Sequence, residues 1–325
     1  MTDLSQRKCS VCHNASGNRE LEAAEMMFGT RDKFTYLECA SCGCLELLNP
    51  PADLSRYYPR NYYSMAKGKV DLWLRYLLCP SITRYWLGRV SPIGYLLGRN
   101  RRRLPVLDWL ERHGIRRGSS LLDVGSGAGG LLFFLRGLGF NRLVGVDPFI
   151  ASDLRFPGGI TILKRQLGEV EGSFDYVVFN HSFEHMEAPL EVLKHVRSLI
   201  APGGRLIIST PIAATFAWRE YGVDWVQLDA PRHLFIPSVE GLKILAGQAG
   251  LHVTDVVFNS TEFQFWGSEQ YRAGIPLTDK RSYRRSPRDS IFTPAQIAVF
   301  TQRADELNKS ADGDTASFYL EASRT

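Results

Sequence analysis

The sequence predicts an α/β fold, a largely parallel sheet with helices on its faces, and three observations carry that prediction. Leu121-Leu-Asp-Val124 is an apolar run leading into Gly125-Ser-Gly-Ala-Gly-Gly130, after which residues 131–135 are apolar again. That order reads as strand, tight loop and helix start, with glycines at 125, 127, 129 and 130 allowing positive φ and close approach of a ligand to main-chain N–H groups. Short apolar runs then recur at 143–146, 160–163, 174–179 and 205–209, separated by helix-length or turn-rich stretches. Finally, Pro202-Gly-Gly204 stops a helix predicted over 188–200 just before the run at 205–209. Continuous apolar runs of this kind suit strands buried on both faces.

The glycine loop alone leaves the ligand open, because Gly125, Gly127 and Gly130 also satisfy the G-x-G-x-x-G dinucleotide fingerprint. The ends of the later strands narrow it. The second strand ends in Asp147, 18 residues beyond Gly129, where a carboxylate can accept hydrogen bonds from ribose hydroxyls. The fourth, Phe174-Asp-Tyr-Val-Val-Phe179, runs into Asn180-His-Ser-Phe-Glu-His185, and the fifth ends at Thr210-Pro211. In order, these stretches resemble the class I S-adenosylmethionine (SAM) dependent methyltransferases, with their D-V-G-x-G-x-G loop, acid after the second strand, F-D-x-V, E-H and L-x-P-G-G-x-L motifs. The resemblance covers residues 100 to 258. It implies a Rossmann-like, seven-stranded sheet whose last strand is antiparallel, and SAM as cofactor. Asp123 then faces the cofactor's ammonium, Gly125, Ser126, Gly127 and Gly129 its backbone-lined cradle, Asp147 the ribose, and Pro148 and Phe149 the adenine. Gln166 and Leu167 lie where many relatives place an acid for the adenine amine, with Glu169 as the nearby acid, and Asn180 closes the site at the end of the fourth strand.

Composition bounds the rest. At 325 residues and 44% hydrophobic, the chain can bury a full α/β core and carry one small extra module. No apolar run reaches the roughly 18 residues a membrane span needs, and the first residues lack a signal-peptide core, so a cytoplasmic protein is expected. A net charge of +5 does not by itself call for a nucleic-acid partner.

From the beginning, Cys9-x2-Cys12 and Cys39-x2-Cys42 form two knuckles 26 residues apart. Paired thiolates at this spacing suit structural zinc, which staples a segment too short to hold its own core; ordinary reduced thiols or a redox pair are the competing reading. His13 and Cys44 flank the knuckles as substitute ligands, and residues 34–38 alternate as a strand. The expected organisation is a zinc ribbon over 1–50, a basic aromatic-rich helical cap or linker over 51–105, and a methyltransferase domain over 106–325 containing an insertion at 259–294. A ribbon, then Tyr57-Tyr-Pro-Arg-Asn-Tyr-Tyr63, then such a core resembles bacterial enzymes of envelope glycan and secondary-metabolite pathways. That similarity points to a small-molecule or saccharide acceptor. The tyrosines either line an acceptor groove or pack the ribbon onto the core.

Residues 70–117 are the most lopsided stretch, with nine arginines between 84 and 117 against Asp108 and Glu111. They read either as a solvated helical cap or as a surface for an anionic membrane, the inner membrane in a bacterial cell, or for a phosphate-bearing acceptor. Three histidines, His181, His185 and His233, are candidates for the catalytic base, since imidazole titrates near the working pH. Trp218, Trp225, Arg232 and His233, in the loop after the fifth strand, form the expected acceptor lid. A helix over 238–249, a strand over 251–258, a partly mobile insertion, a helix over 294–307 and a strand over 315–322 complete the chain. Two rival functions stay open from sequence: an RNA methyltransferase, and a non-catalytic interaction protein built on the same scaffold.

Overall fold

The computed structural model describes residues 7–58, 69–101, 103–112 and 118–323. Tyr62, Tyr63, Arg102, Arg116 and Arg117 lie outside the described residues. The chain opens with three antiparallel strands, β1 (Arg19–Ala24), β2 (Lys33–Glu38) and β3 (Leu45–Leu48). Two helices form the cap, α1 (Lys69–Trp86) and α2 (Pro92–Gly98), and α3 (Pro105–Arg112) leads into the sheet.

The main sheet starts at β4 (Ser120–Val124), followed by α4 (Gly130–Arg136), β5 (Arg142–Val146), β6 (Leu154–Phe156), β7 (Ile160–Leu163), β8 (Phe174–Asn180), α5 (Pro189–Leu199) and β9 (Ile200–Pro211). Then come α6 (Phe216–Tyr221), β10 (Phe235–Ile236), α7 (Val239–Gln248), β11 (Leu251–Phe258), α8 (Phe263–Arg272), α9 (Pro294–Lys309) and β12 (Thr315–Ala322). The order across the sheet is β11-β12-β9-β8-β4-β5-β7-β6. Strands β7, β5, β4, β8 and β9 run parallel, and β12 is antiparallel to both β9 and β11. The expected seven strands and antiparallel last strand are present. The difference is an eighth, β6, a three-residue edge strand antiparallel to β7. Such a short segment has too little alternation to register as a strand from sequence.

Burial explains why the parallel strands read as apolar runs: all five residues of β4 are buried, as are Tyr176, Val177, Val178 and Phe179 of β8. Leu193, Val196 and Leu199 of α5 cover one face, and Leu131, Leu132, Phe133 and Leu135 of α4 the other. Each such fully buried side chain contributes about 1.5–3 kcal/mol relative to exposure. Helix α9 starts with a capping box between Thr293 and Gln296 and proline at its first position, which fixes its start at the expected residue.

The strands beside the cysteine knuckles are joined to the rest of the chain. β10, from the loop after β9, pairs with β3 and completes a four-stranded sheet. Cys9, Val11, Cys39, Cys42 and Cys44 belong to the same hydrophobic cluster as Phe179, Leu242 and Leu245 of the catalytic half. Ser238 accepts from the Gly241 N–H to cap α7 while donating to the Cys42 carbonyl, so one hydroxyl ties helix to knuckle.

The 259–294 segment contains α8, whose Phe265, Trp266, Ser268, Gln270 and Tyr271 are buried, and a turn held by Leu277 N–H to the Met26 carbonyl and Thr278 N–H to the Met27 carbonyl. Its apolar residues find partners on the N-terminal hairpin, distant in sequence.

Candidate active site

The glycine loop after β4 turns through Gly125 and Gly129 at φ of 72° and 81°. A Cβ on Gly125 would sit 2.5 Å from that of Ser182, so loop and β8 end approach as closely as the missing side chain permits. Asp147, at the end of β5, accepts the Gly127 N–H at 2.9 Å through one oxygen and the Phe149 N–H at 2.8 Å through the other. It thereby fixes the cradle and keeps lone pairs for a further donor. Asp123 is buried on β4. Burial, then repulsion from Asp147, pushes its carboxyl up to about 8.

Two buried carboxylates facing a loop with no cation among their described partners, and a buried Ser126 hydroxyl lacking a protein partner, fit a polar ligand that brings positive charge. SAM is such a ligand. Phe149 is 69% exposed beside the loop, available to an aromatic face, and Tyr58 stacks over it with ring centroids 6.3 Å apart. Gln166 opens a short turn in which the Glu169 carboxylate accepts the Gln166 N–H at 2.8 Å, and Leu167 packs partly against the main core. Asn180 ends β8 opposite Ser209.

Beyond β8 the chain places the three candidate histidines around one carboxylate. Glu184 is buried, accepts from the Thr210 hydroxyl at 3.0 Å, and lies 3.6 Å from His181 Nδ1 and 4.0 Å from His233 Nε2. Burial would raise its pKa, but His181, His233 and His185 outweigh it and hold the carboxylate at about 2. His181 is held at a positive φ of 55° by its N–H bond to the Ser209 carbonyl, and its side chain is 47% exposed. Burial pulls its pKa down, and the Glu184 carboxylate more than compensates, so it lies above the ordinary imidazole value.

His233 is different. It is buried, its Nδ1–H reaches the Gln227 carbonyl at 2.7 Å, and burial pulls its pKa down to about 4 against the attraction of Asp229 and Glu184. His185 uses Nδ1 on the Arg232 carbonyl at 2.7 Å, with its ring 4.9 Å from that of His233. The Tyr58 hydroxyl lies 3.3 Å from the same nitrogen. The adjacent tyrosines therefore divide the two sequence readings. Tyr57 bonds Asp32 at 2.8 Å and packs on Phe34 of β2, while Tyr58 faces the site.

Two cavities meet at His181. The larger, about 900 Å³, is lined by His181, Gln227, Asn259, Thr261, Glu262 and Asp314 among others. The smaller, about 130 Å³, adds Glu184, His185, His233, Met27 and Arg284.

The expected lid is corrected. Arg232 is fully buried, its guanidinium bonded to Asp229 at 2.6 and 2.9 Å, to Glu25 at 3.0 Å and to the Tyr57 carbonyl at 3.3 Å. It pins the N-terminal hairpin to the catalytic half instead of greeting an acceptor. Trp218 and Trp225 are buried too, their indole N–H groups bonded to Glu38 at 2.8 Å and Asp314 at 3.0 Å. Glu25, Gln227 and Asn259 carried no sequence signal, since each owes its place to a contact across more than one element.

In the ribbon, the Cys9 and Cys42 sulfurs lie 3.5 Å apart, as do those of Cys12 and Cys39, and all four lie within 4.8 Å of one another. Zinc–sulfur bonds of about 2.3 Å around a tetrahedron place sulfurs just under 4 Å apart, so the set fits a structural zinc. Cys44 is buried beside them without joining the set, and His13 is exposed.

The sheet order and the glycine loop with its two acids are those of a class I SAM-dependent methyltransferase. Residues 97–256 match the methyltransferase domain family model. Among curated relatives, the ubiquinone biosynthesis O-methyltransferase of Pseudomonas aeruginosa (strain UCBPP-PA14) is 28% identical over 46% of this chain and 72% of its own. A tRNA U34 carboxymethyltransferase of Klebsiella pneumoniae is 28% identical over 45% of this chain and 48% of its own. Among solved structures, magnesium protoporphyrin IX methyltransferase from Synechocystis PCC 6803, with bound SAH, is 20% identical, covers 64% of this chain and 94% of its own, and has a TM-score of 0.41.

Proposed function

We propose that the chain methylates a hydroxylated small molecule or saccharide, of an envelope glycan or secondary-metabolite pathway, held in the 900 Å³ cavity beside His181. The observation that carries this reading is the position of His181 on the wall of a cavity in which the amide, hydroxyl and carboxylate groups of Gln227, Asn259, Thr261, Glu262 and Asp314 stand among apolar side chains such as Leu104, Phe258 and Phe263, a mixture that suits a sugar-sized acceptor. When bound, SAM supplies a methyl group on a positively charged sulfur. Asp123 would hold its ammonium, Asp147 its ribose and Phe149 its adenine.

His181 is the base. Its Nδ1 faces Glu184, leaving Nε2 to take the proton of an acceptor hydroxyl. Glu184 holds the ring and favours the imidazolium that forms. His233, kept neutral by burial, and His185, tied to the Arg232 carbonyl, position this group.

The test is to incubate the protein with methyl-labelled SAM and a lysate of its source cells, then fractionate the products. Label in the saccharide or small-molecule pool, with His181→Ala slowing transfer by about 10²–10⁴-fold at unchanged SAM affinity, supports the reading. Label in RNA overturns the acceptor, and full activity of His181→Ala overturns the base.

A further inference from the structure

Helices α1 and α2 expose what the rest of the surface hides. Among the described residues, seven of the eleven large apolar side chains that face solvent fall between positions 73 and 96: Trp73, Leu74, Leu77, Val90, Ile93, Tyr95 and Leu96. Leu77 is 61% exposed, Leu96 65% and Val90 97%. This is not a failed core. The opposite side of α1 buries Leu72, Tyr76, Cys79 and Ile82, and its Thr83 hydroxyl bonds the Phe134 carbonyl of α4 at 2.7 Å. α2 in turn is pressed onto α1 through Gly94 and Gly98. A Cβ on Gly94 would run into the Ser81 carbonyl, and the Trp86 indole N–H bonds the Gly98 carbonyl at 3.3 Å. With small residues used up at the helix contact, the large apolar residues of α2 are left pointing out.

The charge around this face has one sign. From Leu72 to Leu107 the sequence holds seven arginines and no acid. Arg84, Arg89, Arg99 and Arg101 are exposed, and Arg75 pairs with Asp71 at the outer end of α1. An exposed apolar face whose charged neighbours are cations, apart from the Asp71 that pairs with Arg75, complements one common surface, the headgroup layer of an anionic bilayer. A second copy meeting it face to face would set arginines against arginines. Among the described residues no helix is long and apolar enough to cross a membrane, so the contact is interfacial.

We propose that α1 and α2 dock the enzyme on an anionic lipid surface, with Leu74, Leu77, Ile93 and Leu96 entering the headgroup–acyl boundary and the arginines meeting lipid phosphates. The face is continuous in sequence with the acceptor cavity, since Arg103, Leu104 and Pro105, just past α2, form part of its wall. The proposal does not depend on the identity of the methyl acceptor.

The experiment is flotation of the full chain with vesicles of phosphatidylcholine alone and of phosphatidylcholine mixed with phosphatidylglycerol, alongside light scattering of the free protein. The expected result is binding to the mixed vesicles, weakened by salt, and weakened at least about tenfold by Leu77→Glu with Leu96→Glu or by Arg84→Glu with Arg89→Glu. These positions are exposed, and an unchanged circular dichroism spectrum and SAM affinity will confirm that the variants fold. No binding to mixed vesicles, or binding that both double variants retain, overturns the proposal. So does a stable dimer of the free protein that Leu77→Glu with Leu96→Glu dissolves, which would assign the face to self-association.

Discussion

Asp123 makes cofactor binding a proton-releasing step. Its carboxyl sits buried on β4 with Asp147 as its charged neighbour, and both effects favour the neutral form, up to about 8. At pH 7 only about a tenth of the free enzyme then carries an ionised Asp123, and at pH 6 about a hundredth. The ammonium of SAM, or of S-adenosylhomocysteine, needs the anion. Affinity for S-adenosylhomocysteine is therefore expected to rise about tenfold between pH 6 and pH 7, worth about 1.4 kcal/mol, as the ligand draws the group into its ionised state. The sign comes from the raised pKa: below it, binding must expel a proton, and that cost shrinks as pH climbs. Titration calorimetry at pH 6.5 in two buffers of different ionisation enthalpy will report close to one proton released per ligand bound. Asp123→Asn should bind more weakly at pH 7 and lose both the pH slope and the buffer dependence. Equal affinity at pH 6 and 7 with equal heats in both buffers would refute the reasoning, as would an Asp123→Asn variant that keeps the slope.

Two further predictions come from the buried contacts that join the halves of the chain. Arg232→Met leaves Glu25 and Asp229 buried without their cation, and should lower unfolding free energy by about 3–5 kcal/mol in urea titration; a loss below 1 kcal/mol, on the scale of an exposed pair, would show the cluster to be solvated. For the ribbon, one equivalent of zinc per chain is expected by elemental analysis. Cys9→Ser or Cys42→Ser should abolish it and lower the melting temperature of the whole enzyme, because the knuckles share its core. Absence of zinc in the wild type would return the four cysteines to ordinary thiols.

What the sequence determined by itself is the catalytic sheet. β7, β11 and β12 begin and end where the apolar runs at 160–163, 251–258 and 315–322 do, because buried strands advertise themselves by apolar pattern and their boundaries by glycine and proline. The cofactor loop and the cysteine knuckles were legible for the same reason: backbone geometry and ligand spacing are local properties. The acceptor side was not local. Arg232, Trp218 and Trp225 have the chemistry of a lid, and only the tertiary structure decided otherwise, by bringing Glu25, Glu38 and Asp314 to them from β-strands and loops far along the chain. Among three similar histidines, the choice likewise rests on position. Glu184 lies between His181 and His233, and solvent reaches the first while burial keeps the second neutral. Pattern fixes which residues can do chemistry; packing fixes their exposure and charge, and so which of them does it.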